Sequence, residues 1–331
     1  DSQNCFYIRN LGLLQNPVYR TAMTRSTNPL DWIDAVIATD PDRPFLHFPD
    51  GGGQSYADLR ATTGTLAGAL VALGVSPGDR VTVQIEKCPD YIALYLACLW
   101  TGAIFMPLNT GYTQAEVDYF TSDAEPRLCI ADGQTPLNTL TQRDDPAPPR
   151  HAFDPEAQAA MLYTSGTTGR PKGAIITGGN LGSNALALAD LWRFTADDVL
   201  LHALPVYHTH GLFVATNTVL ASGASMLWLP KFDAAHMLSL LPRATVLMGV
   251  PTFYTRLLSL DGLDHAAVAS MRLFISGSAP LLSETHDQFR ARTGHAILER
   301  YGMPETQMNT SNPYDGARIA GTVGPPLPGV E

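Results

Sequence analysis

From Trp32 onward, helical and strand-like patterns alternate along the chain, and this alternation restricts the fold more than any other feature. "SYADLRATTGTLAGALVALGV" offers a Ser cap, apolar residues at helical spacing and a stop at Gly74. "SPGDRVTVQI" is a turn feeding a strand, "TQAEVDYFTSDA" an amphipathic helix behind a Thr cap, and "RLCIAD" a strand. A connection rich in Pro, Asp, Thr and Gln runs from Gly133 to Pro155 and reads as surface. The pattern then resumes. "AAMLYTS" and "GAIIT" are strand-like on either side of a glycine loop, and "NLGSNALALADLW" is a helix capped by Asn180. "DVLLHALPVYH" reads as a strand that delivers two histidines, and "ASMLWLP", "ATVLMGV" and "MRLFISGSAP" as further strands, each followed by helical text. No internal repeat is visible. Such alternation predicts an α/β fold of mostly parallel sheets flanked by helices.

Composition narrows the function classes. The 331 residues, 45% of them hydrophobic, suffice for one large domain or two ordinary ones. A net charge of -10 with only 21 Lys and Arg, and no long basic run, argues against nucleic acid as a partner and fits an acidic, soluble surface. None of the four cysteines forms a CxxC pair, which argues against a zinc or redox motif. Cys98 and Cys129 lie in apolar text and read as buried free thiols of a reducing compartment. "YIALYLACLWTGAIFMPL" is uncharged and near spanning length. However, Pro89 and Asp90 open a helix, Gly102 stops it and "AIFMP" is a strand, so a buried helix and strand are expected and no membrane segment.

Residues 1–30 stand apart. They carry Arg9, Arg20 and Arg25 with Asp1 as their one acid, a weak transit-peptide composition that would suit the mitochondrial matrix. The preferred reading takes Met23 as the natural start of a cytoplasmic protein, with Asn28 or Asp31 at a helix start. Oligomeric state is left open.

The stretch "YTSGTTGRPKGA", Tyr163 to Ala174, carries the chemistry. Gly166, Gly169 and Gly173 adopt backbone angles that other residues resist, so several N–H groups can converge on one anion. Ser165, Thr167 and Thr168 add hydroxyl donors, and Lys172 adds charge. A surface turn would have the same composition. The spacing is neither the GxxxxGK[ST] of P-loop nucleotidases, because Gly173 follows Lys172, nor GxGxxG.

The stretch resembles, almost residue for residue, the phosphate loop of the adenylate-forming (AMP-binding) superfamily, which includes the acyl-CoA synthetases. "GVSPGDRVTV", "TGAIFMPLN", "ISGSAPL" and "RYGMPET" resemble further landmarks of that family, in the family's order. The resemblance implies an AMP-binding amino-terminal domain over residues 31–331. It also implies a reaction in which a carboxylic acid attacks the α-phosphate of ATP, pyrophosphate leaves, and coenzyme A then displaces AMP. By motif position it implies that Thr164, Ser165, Gly166, Thr167, Thr168, Gly169 and Lys172 hold the β- and γ-phosphates, and that Glu305, with Thr164, holds Mg2+. Gly277, Ser278, Ala279 and Pro280 would line the adenine, with Glu299, Tyr301 and Gly302 beside it. His208 would face the reacting carboxylate, and with Lys172 and Glu305 forms the implied catalytic set.

The acyl side is more particular. "ALPVYHTHGLFVATNTVLASGASMLWLPKFD" and "RYGMPETQMNTSNPYDGARIAGTVGPPLPGV" resemble the malonyl-CoA synthetases, which use malonate or methylmalonate. Thr209, His210 and Met303 would then shape a small polar acyl pocket. A diacid's second carboxylate needs a counter-charge in a partly dry pocket. Arg256, one turn into a helix opened by Pro251, is the candidate, with Arg272 and Lys231 as rivals. A zinc site on His208 and His210 lacks a third ligand at a telling spacing.

The match breaks in three places. The chain stops at Glu331, before the segment that in the family holds a ribose-binding Asp, a hinge and a small carboxyl-terminal domain, so adenylation by this chain alone is expected to be severely impaired. Pro304 stands where the family carries a Thr whose hydroxyl meets the α-phosphate, and proline offers neither hydroxyl nor N–H. The Gly133–Pro155 connection is shorter than in relatives, which predicts loss of a peripheral strand–helix unit, and Gly178 replaces a His. Two alternatives follow: a short- or medium-chain acyl-CoA synthetase, and a non-catalytic nucleotide-binding fragment.

Overall fold

The computed structural model describes residues 25–164 and 170–330. The questions raised by residues 1–22 and Met23 lie outside the described residues. Local signals set most element starts. Asn28 caps α1 (Pro29–Thr39) through the Leu30 N–H. Ser55 and Asp58 form a capping box on α2 (Tyr56–Ala72), and Thr113 and Glu116 another on α4 (Gln114–Ala124). α3 (Pro89–Thr101) begins with proline and ends at Gly102, whose φ of 73° is the left-handed conformation that closes a helix. No helix among the described residues is long and apolar enough to cross a membrane.

Two sheets are built from these units. A five-stranded sheet has the order β5-β3-β4-β6-β7. Its strands are β3 (Arg80–Gln84), β4 (Ile104–Pro107), β5 (Leu128–Ala131), β6 (Gln158–Thr164) and β7 (Lys172–Thr177). Its pairs are parallel except the β6–β7 edge, where Thr164 lies opposite Lys172. An eight-stranded sheet has the order β13-β12-β11-β10-β8-β9-β1-β2. It comprises β1 (Pro44–His47), β2 (Gly53–Ser55), β8 (Val199–His202), β9 (Ser225–Trp228), β10 (Val246–Gly249), β11 (Leu273–Ser276), β12 (Leu298–Met303) and β13 (Gln307–Ser311). Only its outer pairs, β1–β2 and β12–β13, are antiparallel. The central strands β8, β10 and β11 are apolar along most of their length, as strands covered on both faces are.

Helices complete the layers: α5 (Leu137–Thr141), α6 (Gly178–Leu191), α7 (Asn217–Ser222), α8 (Ala234–Leu240), α9 (Pro251–Leu258) and α10 (Ser283–Thr293). Three sequence expectations shift. The cap of α6 is Thr177, and Asn180 is its reciprocal partner three residues inside, so the helix starts on two glycines. The Gly133–Pro155 connection contains α5 and is tied down by bonds between Trp100 Nε1 and the Pro148 carbonyl and between the His151 N–H and the Trp100 carbonyl. Cys98 is buried, whereas Cys129 is only partly so.

One half-buried lysine joins the sheets. Lys87, just after β3, gives its three ammonium donors to His202 Nδ1 (2.8 Å), the His202 carbonyl (2.9 Å) and the Leu229 carbonyl (2.7 Å). Its ammonium also stands 4.0 Å from the Trp228 ring. His202 Nε2 meets the Gly211 carbonyl at 2.8 Å, so Nε2 carries the proton and Nδ1 accepts from Lys87. The five-stranded sheet, the end of β8 and the segment beginning at His210 are thereby held in one network.

Candidate active site

Parallel strands bring their carboxyl ends to one edge, and in open α/β sheets ligands gather there. A small, partly open cleft lies at that edge. Pro107 ends β4 and Leu108 and Asn109 follow it, Leu162 and Tyr163 belong to β6, Tyr207 to Thr209 follow β8, and Pro304 follows β12; all line it, with Tyr112. An apolar cluster of Met106, Leu108, Val117, Phe120 and Ala124 adjoins the wall, with Tyr112 and Tyr163 packed on it. Tyr163 lies 4.4 Å from the Phe120 ring and donates to Asp123 at 2.6 Å. Burial and then the Asp123 carboxylate raise the Tyr163 pKa, so the phenol stays neutral.

Thr164 Oγ1, at the end of β6, donates to Glu305 Oε1 at 3.1 Å. These residues are 141 positions apart and come from different sheets. Lys172 is exposed and opposite Thr164 in the β6–β7 ladder, so three residues singled out in sequence stand together. Ser165, Gly166, Thr167, Thr168 and Gly169 lie outside the described residues.

The histidines are placed differently from expectation. β8 ends at His202, six residues before His208, and the chain enters a π-helix over His210–Thr216. π-helical turns have wider backbone geometry and recur at functional sites. His208 opens onto the cleft, with the Tyr207 ring 4.6 Å away, and desolvation lowers its pKa. Thr209 lines the cleft, and its buried hydroxyl has no partner among the described residues. His210 is 5% exposed, and its Nδ1 lies 3.2 Å from Ser278 Oγ. Burial and then the Arg300, His202 and His208 charges hold its pKa well below the usual histidine value.

Gly277 to Pro280 form the loop leaving β11. Gly277 is buried, and Ser278, Ala279 and Pro280 are exposed. Ser278 adopts a φ of 68°, and Gln307, the first residue of β13, one of 58°, both left-handed. Glu299 is 4% exposed, and its Oε1 accepts the Leu281 N–H at 2.9 Å, so it fixes this loop from behind. Burial raises its pKa against the pull of that N–H and of His286. Tyr301 and Met303 are exposed, and the Tyr301 hydroxyl lies 3.9 Å from the Met303 sulfur. A Cβ on Gly302 would come within 2.2 Å of the Gln307 carbonyl, so the tight β12–β13 turn that carries Pro304 and Glu305 requires glycine there.

The arginine expectations separate. Arg256 is exposed, its guanidinium 5.9 Å from the Phe232 ring, and it does not line the cleft. Arg272 is committed to Asp198 through two 2.7 Å bonds, and Lys231 is exposed. Helix spacing placed Arg256 on α9, but the inward face of α9 is taken by Phe253, Tyr254 and Leu257. Lys87 was missed in sequence, since nothing in "IEKCPD" signals a lysine bonded across the two sheets.

The family model described as AMP-binding enzyme matches residues 33–331. The chain belongs to that family. It is 33% identical over 323 residues to a mitochondrial malonate–CoA ligase of Mus musculus, covering 85% of this chain and 55% of the relative. Among solved structures it resembles ATP-bound MatB from Rhodopseudomonas palustris, at 48% identity and a TM-score of 0.85 over 92% of this chain and 65% of that one. It also resembles a malonyl-CoA ligase ternary product complex with methylmalonyl-CoA and AMP, at 34% identity and a TM-score of 0.76, over 94% of this chain and 66% of that one. The chain spans about half the length of the curated relatives it matches. The α/β fold of mostly parallel sheets flanked by helices, expected from the alternation in sequence, is thus the fold shared with these structures.

Proposed function

We propose that the chain forms the nucleotide- and acid-binding part of an ATP-dependent acid–CoA ligase whose acid is malonate or methylmalonate. The contact between Thr164 and Glu305 across the cleft carries this reading, because it sets two hard oxygen donors beside Lys172 at the mouth of the β6–β7 hairpin. Those oxygens fit Mg2+, which binds through one or two protein oxygens and takes its other positions from phosphates and water. No cluster of three or more His, Cys, Asp or Glu exists among the described residues, which fits a cation that arrives with the nucleotide. Thr164 and Glu305 would hold it, and it would supply neutralisation of phosphate charge.

Lys172 adds a cation on the same side, so the acid anion meets the polyphosphate with its charge offset. His208 is neutral at pH 7, as its lowered pKa requires, and orients the attacking carboxylate through a hydrogen bond without protonating it. Ser278, Ala279 and Pro280 form the open rim suited to the adenine, and Glu299 positions that rim. Coenzyme A as acceptor follows from the likeness to malonate–CoA ligases.

Pro304 in the cleft wall supports a second reading, a nucleotide-binding module without catalysis, since proline has no hydroxyl for the α-phosphate. Calorimetry separates the readings. Mg-ATP binding followed by nucleotide-dependent binding of malonate or methylmalonate supports the ligase. Nucleotide binding with no acid response supports the module, and a stronger response to butyrate supports a short-chain acyl-CoA synthetase.

A further inference from the structure

The β6–β7 hairpin stands at one edge of the five-stranded sheet, where β7 pairs with β6 alone among the described strands. β6 registers with β4 at Ala160, opposite Phe105. From Met161 to Thr164 its registered partner is β7, from Ile175 back to Lys172. The end of the hairpin, where Thr164 faces Lys172, is thus a two-stranded ribbon beyond the body of the sheet. Such a ribbon is marginal on its own. Thr164 and Lys172 keep a fixed place only when something else braces it.

α4 supplies that brace on both strands. On the incoming strand, the Tyr163 ring lies 4.4 Å from Phe120, and its hydroxyl donates to Asp123 Oδ2 at 2.6 Å. On the outgoing strand, the Tyr119 hydroxyl donates to the Pro171 carbonyl at 3.0 Å. Tyr163 directly precedes Thr164, and Pro171 directly precedes Lys172, so each hold falls one residue before a side chain of the candidate site. Tyr119 and Asp123 are one helical turn apart, which puts them on one face of α4. The helix itself is anchored by its capping box and by Val117, Phe120 and Ala124 in the apolar cluster. Asp123 is exposed and Tyr119 half-buried, so water could satisfy both polar groups. Their hydrogen bonds add little to the core; what they fix is the hairpin.

We propose that Tyr119 and Asp123 are positioning residues for the nucleotide: α4 grips both strands of the hairpin and holds Thr164 and Lys172 where they meet the polyphosphate. This rests on the nucleotide reading above and is independent of which acid is used. Neither residue lines the cleft. Tyr119 acts through Pro171 on Lys172, and Asp123 acts through Tyr163 on Thr164.

The test uses the whole chain, with Mg-ATP binding read by calorimetry and folding by urea denaturation. Tyr119→Phe keeps the ring and removes the hydroxyl; it should weaken Mg-ATP binding about fivefold with the urea midpoint near wild type. Asp123→Ala should weaken it about tenfold, and Asp123→Asn, which keeps an acceptor for Tyr163, should recover most of that loss. The deciding measurement is Tyr119→Phe in a Lys172→Met background. Because the hold on Pro171 acts by placing Lys172, the loss there should shrink to less than about twofold, whereas a merely structural role would give the same loss in both backgrounds. An undiminished loss in that background overturns the proposal, as does unchanged Mg-ATP affinity in Tyr119→Phe and Asp123→Ala. Should one of these two variants fail to fold, the other decides. Mg-ATP binding by Lys172→Met as tight as wild type would overturn the proposal and leave the nucleotide reading standing. No Mg-ATP binding by the wild-type chain would fail that reading itself, and this proposal with it.

Discussion

The two ends of the eight-stranded sheet treat charge in opposite ways. At the amino ends of its parallel strands, Asp198, Thr245 and Arg272 form a closed junction. Asp198 takes two bonds from Arg272, one from the Thr245 hydroxyl at 2.7 Å and one from the Thr195 N–H at 2.9 Å. At the carboxyl ends, Arg300, His210 and Thr209 are buried with polar side-chain atoms unpartnered among the described residues. One end is finished by the chain itself. The other leaves buried polar groups of the chain without a partner.

The largest effect that would sharpen this contrast is Asp198→Ala. It leaves Arg272 without its carboxylate and should cost about 3 kcal/mol in urea denaturation, with Mg-ATP binding of the folded protein unchanged. Arg300→Met is the opposite experiment, and the unliganded protein should become about 1 kcal/mol more stable, because an unpaired charge is removed. Equal destabilisation by both would erase the distinction between the two ends. Glu305→Gln should weaken Mg2+-dependent nucleotide binding by about tenfold, read by calorimetry with and without EDTA, and leave stability near wild type. Pro304→Thr, which returns a hydroxyl to the cleft wall, should tighten Mg-ATP binding by a few-fold.

Acid titration probes the closed end most gently. Burial raises the Asp198 pKa, but the Arg272, Thr195 and Thr245 hydrogen bonds outweigh it, and the net shift is downward. The folded carboxyl therefore releases its proton more readily than the unfolded one. Its contribution is complete above the unfolded value of about 3.9 and is lost as pH falls through the folded value. The stability gap between wild type and Asp198→Asn should narrow across that window; a gap independent of pH would show that the ion pair contributes nothing.

How much of this was legible depended on distance along the chain. The capping boxes at Ser55 and Thr113 and the glycine stop at Gly102 were readable, because each is a bond or an angle within four residues. Thr164, Lys172 and Glu305 were legible by motif and do meet. The cap of α6 was misassigned to Asn180 because Thr177 and Asn180 satisfy each other reciprocally, and either reads as a start. The π-helix after Thr209 has no composition signal, since it is held by the Gly211 carbonyl accepting from His202 and Thr216.

By itself the sequence determined the order of elements and the mostly parallel sheets, set by short-range hydrogen bonding and hydrophobic period. Which arginine is spent and which is kept free was decided only by tertiary structure. Arg256, Arg272 and Arg300 carry the same guanidinium, but their places in α9, just before β11 and in β12 send one to solvent, one to a carboxylate and one to a buried position behind Gly277. Burial and pairing are properties of the packed layers, and no local pattern encodes them.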